Sequence, residues 1–270
     1  MAEEQRGAAP GAAVTDPPVS VSREGPVATL VLRRPQRRNP LSLETMTELT
    51  GRLRETGDDP SVRAMVLAAE GPVFSAGHDL RELATRDPAV HERVFAACAE
   101  LMLTIHGLGQ PVVAAVQGMA TAAGCQLVAA CDMAVAAESA HFATPGVKIG
   151  LFCTTPMVEV ARVVGRTRAM EMLLTGEPID ARAALAWGLV NKVVPLEHLA
   201  GEAAAVAARI ASASGETLAI GKRAVNENLG LPLEEAYRHA SRVMCRNAVT
   251  DDAQEGIAAF LEKRPPVWSR

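Results

Sequence analysis

The sequence predicts an α/β protein that becomes almost wholly helical after residues 180 to 200. Three observations predict it. Short apolar runs of strand character alternate with helical periodicity over the first two thirds. Two of those runs empty into small-residue turns that open helices, one at Phe74 to Leu80 and one at Gly118 to Gly124. Long helical patterns then cover most of the chain from Leu196 to Leu261.

Taken in order, Val27 to Leu32 is a β-rich run ending at a basic turn, Arg33 to Pro40, with arginines at 33, 34, 37 and 38. Such a cluster meets a phosphate or is simply a solvated loop, and composition does not choose between them. Ser42 caps a helix through about Thr56, with Leu43, Met46, Leu49 and Leu53 at helical spacing. Val62 to Ala68 reads as a buried strand leading to the first small-residue turn, with a new helix starting near Asp79. A long helix from Pro88 to about Leu108 precedes the strand Pro111 to Val116. The second turn, an apolar helix and the strand Met133 to Ala137 follow. Ala140 to Thr144 is short and extended, and Pro145 to Pro156 is a loop without period. Beyond it lie helical segments at Met157 to Val164, Thr167 to Leu174 and Ala181 to Trp187, then a strand-like Val190 to Val194.

Composition excludes several classes. With 49% hydrophobic residues the 270-residue chain fills a sizeable core, and with only 3% aromatics that core is aliphatic. A net charge of −4 leaves no basic stripe, so nucleic acid is not the expected partner. Every apolar run is broken by a charge or turn residue before reaching about 18 residues, so no membrane span is expected. Residues 1–19 read as a disordered Ala/Gly/Pro-rich tail, whose Glu3 and Glu4 fit a transit peptide poorly. Five scattered cysteines suggest reduced thiols in a reducing compartment, hence a cytoplasmic location. The histidines take no metal-ligand spacing, so no metal is expected. Dinucleotide and P-loop signatures are missing, and only half of a nucleophile elbow surrounds Ser75. What survives is the pair of strand-to-helix turns, each able to aim a backbone N–H at one oxygen that gains negative charge.

Several stretches carry a family resemblance: Arg34-Pro35 with Asn39, FSAGHDL at 74–80, AVQGMATAAGCQL at 115–127, Cys131-Asp132, LTGEPIDARAALAWGLVNKVV, and the closing EGIAAFLEKRPPVW. On these the chain resembles the crotonase superfamily, the enoyl-CoA hydratase/isomerase family, over residues 20 to 270. The resemblance implies a ββα spiral core over 20–195 that binds acyl-CoA in fatty-acid metabolism. It also implies a helical trimerisation region over 196–270 and assembly as a homotrimer or a hexamer of two trimers.

The resemblance further implies an oxyanion hole made by the N–H groups of His78 and Ala123, with positive φ excluded at Ala123. Coenzyme A is expected to meet Ala76, Arg81, the C-terminal Phe260 and Lys263 and, from the basic turn, Arg37. The CoA thioester is a substrate or ligand, and no permanently bound cofactor is expected. The family's two catalytic glutamates fall on Gln126 and Gly146, which cannot exchange a proton near neutral pH. Efficient hydration is therefore not expected. The chain is still expected to be nominally an enoyl-CoA hydratase/isomerase; the alternatives are a catalytically weak or inactive acyl-CoA-binding or regulatory protein and a different thioester-enolate reaction. Restoring both groups, Gln126→Glu with Gly146→Glu, is expected to raise hydration more than either change alone. Asp79 is a helix cap or a stand-in acid, and Thr154 stands where some members carry a carboxylate. Cys125 is a buried thiol or one activated by its helix N-terminus. Cys153 and Lys148 lie on the loop near the pocket, and the sequence leaves the direction of the His78 side chain open.

Overall fold

The computed structural model describes residues 16–269. Most of the expected tail lies outside them.

Strands come in pairs that part into two sheets. β1 (Val19–Glu24) and β2 (Val27–Leu32) form an antiparallel hairpin, and β3 (Pro40–Leu41) leads into α1 (Leu43–Gly57). β4 (Ala64–Ala69), β5 (Val73–Ser75) and β6 (Gly77–His78) lead into α2 (Leu80–Leu83) and α3 (Pro88–Gly107). β7 (Val112–Val116) and β8 (Met119–Thr121) precede α4 (Ala123–Ala130). β9 (Met133–Ala137) and β10 (His141–Ala143) precede α5 (Thr154–Thr175), which bends at Gly165 with φ 76°. β11 (Ile179–Asp180), α6 (Ala181–Trp187) and β12 (Lys192–Val194) complete the core. The larger sheet runs β1-β2-β4-β7-β9-β12, the smaller one β11-β10-β8-β5, and β3 pairs with β6. From β4 onward the pairs β4/β5, β7/β8 and β9/β10 each place one strand in the larger sheet and the next in the smaller one, and a helix follows before the next pair.

The continuous apolar runs follow from burial on both faces of the larger sheet. Met65 and Leu67 of β4, with Val112, Ala114 and Val116 of β7, face a core shared with Phe74, Phe142 and the apolar sides of α1 and α3. Their neighbours Ala64, Val66, Val113 and Ala115 face the other way, against Leu199, Ala203, Ala207 and Ala211 of α7 (Leu199–Ala211). That helix begins inside the stretch assigned to the trimerisation region, yet it closes the second face of the core sheet.

β1 was absent from the sequence reading, and Val19 falls within the expected tail. Its alternation is short and set between Pro17-Pro18 and Gly25-Pro26, where turn residues dominate the pattern. Pairing along all of β2 and a hydrogen bond from Arg33 N to Pro18 O at 2.8 Å hold it in place.

α8 (Gly215–Asn228), α9 (Leu233–Asn247) and α10 (Asp251–Glu262) bury little, and Leu229, Leu233, Tyr237, Val249 and Phe260 stand exposed. Lys222 ties α8 to the core: its Nζ donates to Ile105 O at 2.8 Å and Gln110 O at 3.1 Å, and pairs with Asp132 Oδ2 at 2.7 Å. The C-terminal motif folds back on α10, where Arg264 pairs with Glu255, and reaches the end of α7, where Trp268 Nε1 donates to Ser212 O at 2.9 Å. Among the described residues no helix is long and apolar enough to cross a membrane.

Candidate active site

The two small-residue turns are pressed against each other. In the first, β5 passes through Ala76 to Gly77 at φ 80°, His78, and Asp79, whose carboxylate accepts from Arg81 N at 3.1 Å and caps α2. Ser75 Oγ steadies this turn, donating to Asn39 O at 2.8 Å and accepting from Gly77 N at 3.2 Å. Asn39 Nδ2 in turn donates to Glu70 O and Val73 O, both at 2.8 Å. The Asn39 of the resemblance is thus a clamp between the basic turn and the β4–β5 connection.

In the second turn, β8 ends at Ala122, which takes φ 51° and ψ −119°, and α4 begins at Ala123. Ala123 itself is helical, as the expected donor requires; the positive φ falls one residue earlier. As the first residue of α4, Ala123 has an N–H without an intrahelical acceptor. A Cβ on Gly77 would lie 2.8 Å from Thr121 O and 3.1 Å from Ala123 N, and one on Gly124 would lie 2.6 Å from Ser75 O. Only glycine lets the turns approach this closely.

Both turns open on one cavity of 330 Å³. Ala76, His78 and Ala123 line it, as do Lys148, Cys153 and Thr154 of the loop beyond β10. No aspartate or glutamate is among its lining residues. The rest of the wall is mainly apolar, from Leu80, Leu83, Phe95, Leu151 and Phe152. Sequence reasoning missed Leu83, Phe95 and the apolar pair Leu151-Phe152. The pair had a readable signal, two large apolar residues inside a loop of otherwise irregular character.

His78 points into this wall, its ring edge-on to Phe95 with centroids 5.4 Å apart and planes at 86°. Burial pushes the imidazole pKa down, and the nearby Leu41 carbonyl offsets part of that. Neither ring nitrogen, however, has a partner at ordinary hydrogen-bond geometry, and both are buried.

The two glutamate positions are accounted for differently. Gln126 is buried in α4 outside the cavity lining, its Oε1 accepting from Cys98 Sγ at 3.6 Å. Gly146 does line the cavity, but a Cβ there would lie 2.2 Å from Leu151 O and 2.8 Å from Cys153 Sγ. The loop has closed over the space a side chain would need. Cys153 Sγ fills it and accepts from Gly146 N at 3.3 Å.

The remaining expectations separate. Asp79 is a cap and also pairs with Arg37, so the Arg37 guanidinium is engaged within the chain. Arg81 is exposed, and its side chain makes no ion pair among the described residues. Phe260 is exposed on α10 and Lys263 ends that helix; neither lines the cavity. Cys125 is not activated, because complete burial pushes its thiol up to about 12 and outweighs its helix position. Burial raises Cys153 as well. Lys148 Nζ pairs with Glu177 at 2.7 Å. Among the described residues no cluster of His, Cys, Asp or Glu has metal-binding geometry.

Comparison with known proteins bears on the architecture and the family. The enoyl-CoA hydratase/isomerase family profile matches residues 22–270. Rat mitochondrial enoyl-CoA hydratase domain-containing protein 3 is 47% identical over 251 residues, covering 93% of this chain and 84% of the rat protein. The crystal structure of human enoyl-CoA hydratase domain-containing protein 3 superposes with a TM-score of 0.91 at 46% identity, covering 93% of this chain and 100% of the human one. That of an enoyl-CoA hydratase from Mycobacterium smegmatis gives 0.91 at 44% identity, covering 94% and 100%. The cytoplasmic expectation is corrected by the same relatives, since the rat protein and its mouse and human counterparts are named mitochondrial. Reduced thiols do not tell one reducing compartment from another. Profile, relatives and superposed structures agree over more than nine tenths of the length, and the chain belongs to the enoyl-CoA hydratase/isomerase family.

Proposed function

We propose that this protein binds acyl-CoA, holds the thioester oxygen between the N–H groups of His78 and Ala123, and hydrates enoyl-CoA poorly or not at all. One observation carries this reading: the interlocked turns open on an apolar cavity with no carboxylate in its wall. Two fixed donors beside an apolar wall stabilise a developing enolate, worth about 10² to 10³ in rate per donor. Adding water needs in addition a group to hold and deprotonate it, worth about 10² to 10⁴. Gln126 outside the cavity and Gly146 under its own loop supply neither.

Exposed Arg81, next to cavity-lining Leu80, offers a guanidinium to the CoA phosphates, whereas Arg37 already serves Asp79. Phe260 and Lys263 reach a nucleotide only if subunits associate, and the exposed apolar residues of α8 to α10 supply a surface for a trimer or hexamer. The competing reading, an acyl-CoA-binding protein without turnover, rests on the same missing carboxylates.

Crotonyl-CoA tests both. It should bind by calorimetry and be hydrated at least about 10³-fold more slowly than by a two-glutamate relative. A hydration rate equal to that relative's overturns the reading, and so does failure to bind.

A further inference from the structure

Taking the oxyanion reading as its basis, we propose that the His78 imidazole is the proton carrier of this site. It removes a proton from the acyl carbon adjacent to the thioester carbonyl while the two backbone N–H groups hold the oxygen.

Three lining side chains carry a titratable group: His78, Lys148 and Cys153. Lys148 is an ammonium paired with Glu177, and a cation accepts no proton. The Cys153 thiol is held protonated by burial, and its sulfur already accepts from Gly146 N. His78 differs on both counts. Burial keeps its imidazole neutral near pH 7, so one ring nitrogen has a free lone pair. Both nitrogens are buried and neither meets a protein partner at hydrogen-bond geometry, the Leu41 carbonyl being the nearby acceptor for whichever carries the proton. The ring rests edge-on against Phe95, which lines the same cavity, and the terminal torsion of a histidine is soft enough to turn a nitrogen towards a bound acyl group.

Covalent connection places the base. The imidazole belongs to the residue whose own N–H is the first oxyanion donor, and the carbon to be deprotonated is two bonds from the held oxygen. In the step, the Cα–H bond breaks, the proton goes to the imidazole lone pair, and the electron pair moves through the carbonyl carbon onto the oxygen. The imidazolium returns a proton to the same carbon, or to the γ-carbon when a double bond lies between. No oxidant or second reactant is needed. One proton carrier suits a proton shift along an apolar enoyl thioester, whereas water addition also needs a group to hold the water.

The test is deuterium exchange at the α-carbon of butyryl-CoA in heavy water, followed by NMR, with binding measured in parallel by calorimetry. His78→Ala keeps the backbone N–H, so it should bind butyryl-CoA within about threefold of wild type while exchange falls at least about 10²-fold. His78→Gln, closer in size, should behave alike and carries the comparison if the alanine variant loses its fold. Exchange at the wild-type rate in either folded variant overturns the proposal. So does a wild-type protein that binds butyryl-CoA without exchanging it, which would leave the oxyanion reading standing. Failure of the wild type to bind overturns both.

Discussion

The two turns that meet at the cavity solve one problem with different residues. Each must bring a strand into a helix while turning an N–H towards the same space. The first gives the unusual backbone to Gly77 at φ 80°, which has no Cβ to object. The second gives it to Ala122 at φ 51° and ψ −119°, a combination where glycine is the ordinary occupant. The difference has a steric origin. The Ala122 methyl lies 3.0 Å from where a Gly77 Cβ would stand, so the contact has room for one methyl and not two.

Breaking that asymmetry from the glycine side should give the largest effect. Gly77→Ala adds a strained φ, about 1 to 3 kcal/mol, to overpacking against Thr121 O and the Ala122 methyl, about 1 to 3 kcal/mol more. A loss of about 2 to 6 kcal/mol is expected, read as a lower urea midpoint at unchanged slope, together with loss of thioester binding. A shift below about 1 kcal/mol would mean the turns are not packed together as described.

A third glycine sharpens the comparison because space alone, without positive φ, demands it. Gly146→Glu must push aside the Leu151 carbonyl and Cys153 Sγ, at a cost of about 1 to 3 kcal/mol, and delivers no carboxylate to the cavity. Gln126→Glu places its carboxylate beside Cys98 outside the cavity lining. The sequence expectation that restoring both glutamates raises hydration synergistically is therefore revised: neither single variant nor the pair should gain more than about threefold, and their stability losses should add. A double variant at least about 10²-fold faster than either single one, assayed with crotonyl-CoA, would show that the loop opens to admit the side chain.

Much of this was legible, for identifiable reasons. Both turns announced themselves through Gly77 and the Ala122-Ala123-Gly124 run, because small residues between a strand and a helix have few other uses. Ser42 as a cap, the break of α5 at Gly165 and the switch to helices were readable from local pattern alone. Long-range packing was not. The clash beneath Gly146 involves residues five and seven positions on in an aperiodic loop, and no period predicts their approach. The alanines of α7 at 203, 207 and 211 read as a helix, but nothing local said that they cover the core sheet. Cys125 stood between a buried thiol and an activated one, because a helix N-terminus is visible in sequence and complete burial, which decides for the buried thiol, is not. Lys222, buried against Asp132 and two carbonyls, resembled any other surface lysine.

Ala122→Gly completes the comparison from the other side and carries the smallest effect. Relief of the strained backbone is worth about 1 to 3 kcal/mol, and glycine's extra freedom in the unfolded chain takes back about 0.4 to 1. A net gain of about 1 kcal/mol follows, or a melting temperature about 2 to 4 °C higher in a chain of this size. The turn should keep its shape, since Ala122 N donates to Ala143 O at 2.9 Å and Ala122 O accepts from Gln126 N at 3.0 Å. Those two bonds fix the residue from either side whether or not it carries a methyl. Butyryl-CoA affinity should then stay within about twofold, since the Ala123 N–H is placed by the hydrogen bonds and not by the side chain before it. Calorimetry on the variant separates the two contributions. A less stable protein would show that the methyl's contact with Gly77 outweighs the strain. A more stable one that binds more weakly would show that the methyl, by wedging the turns, helps to aim the donor.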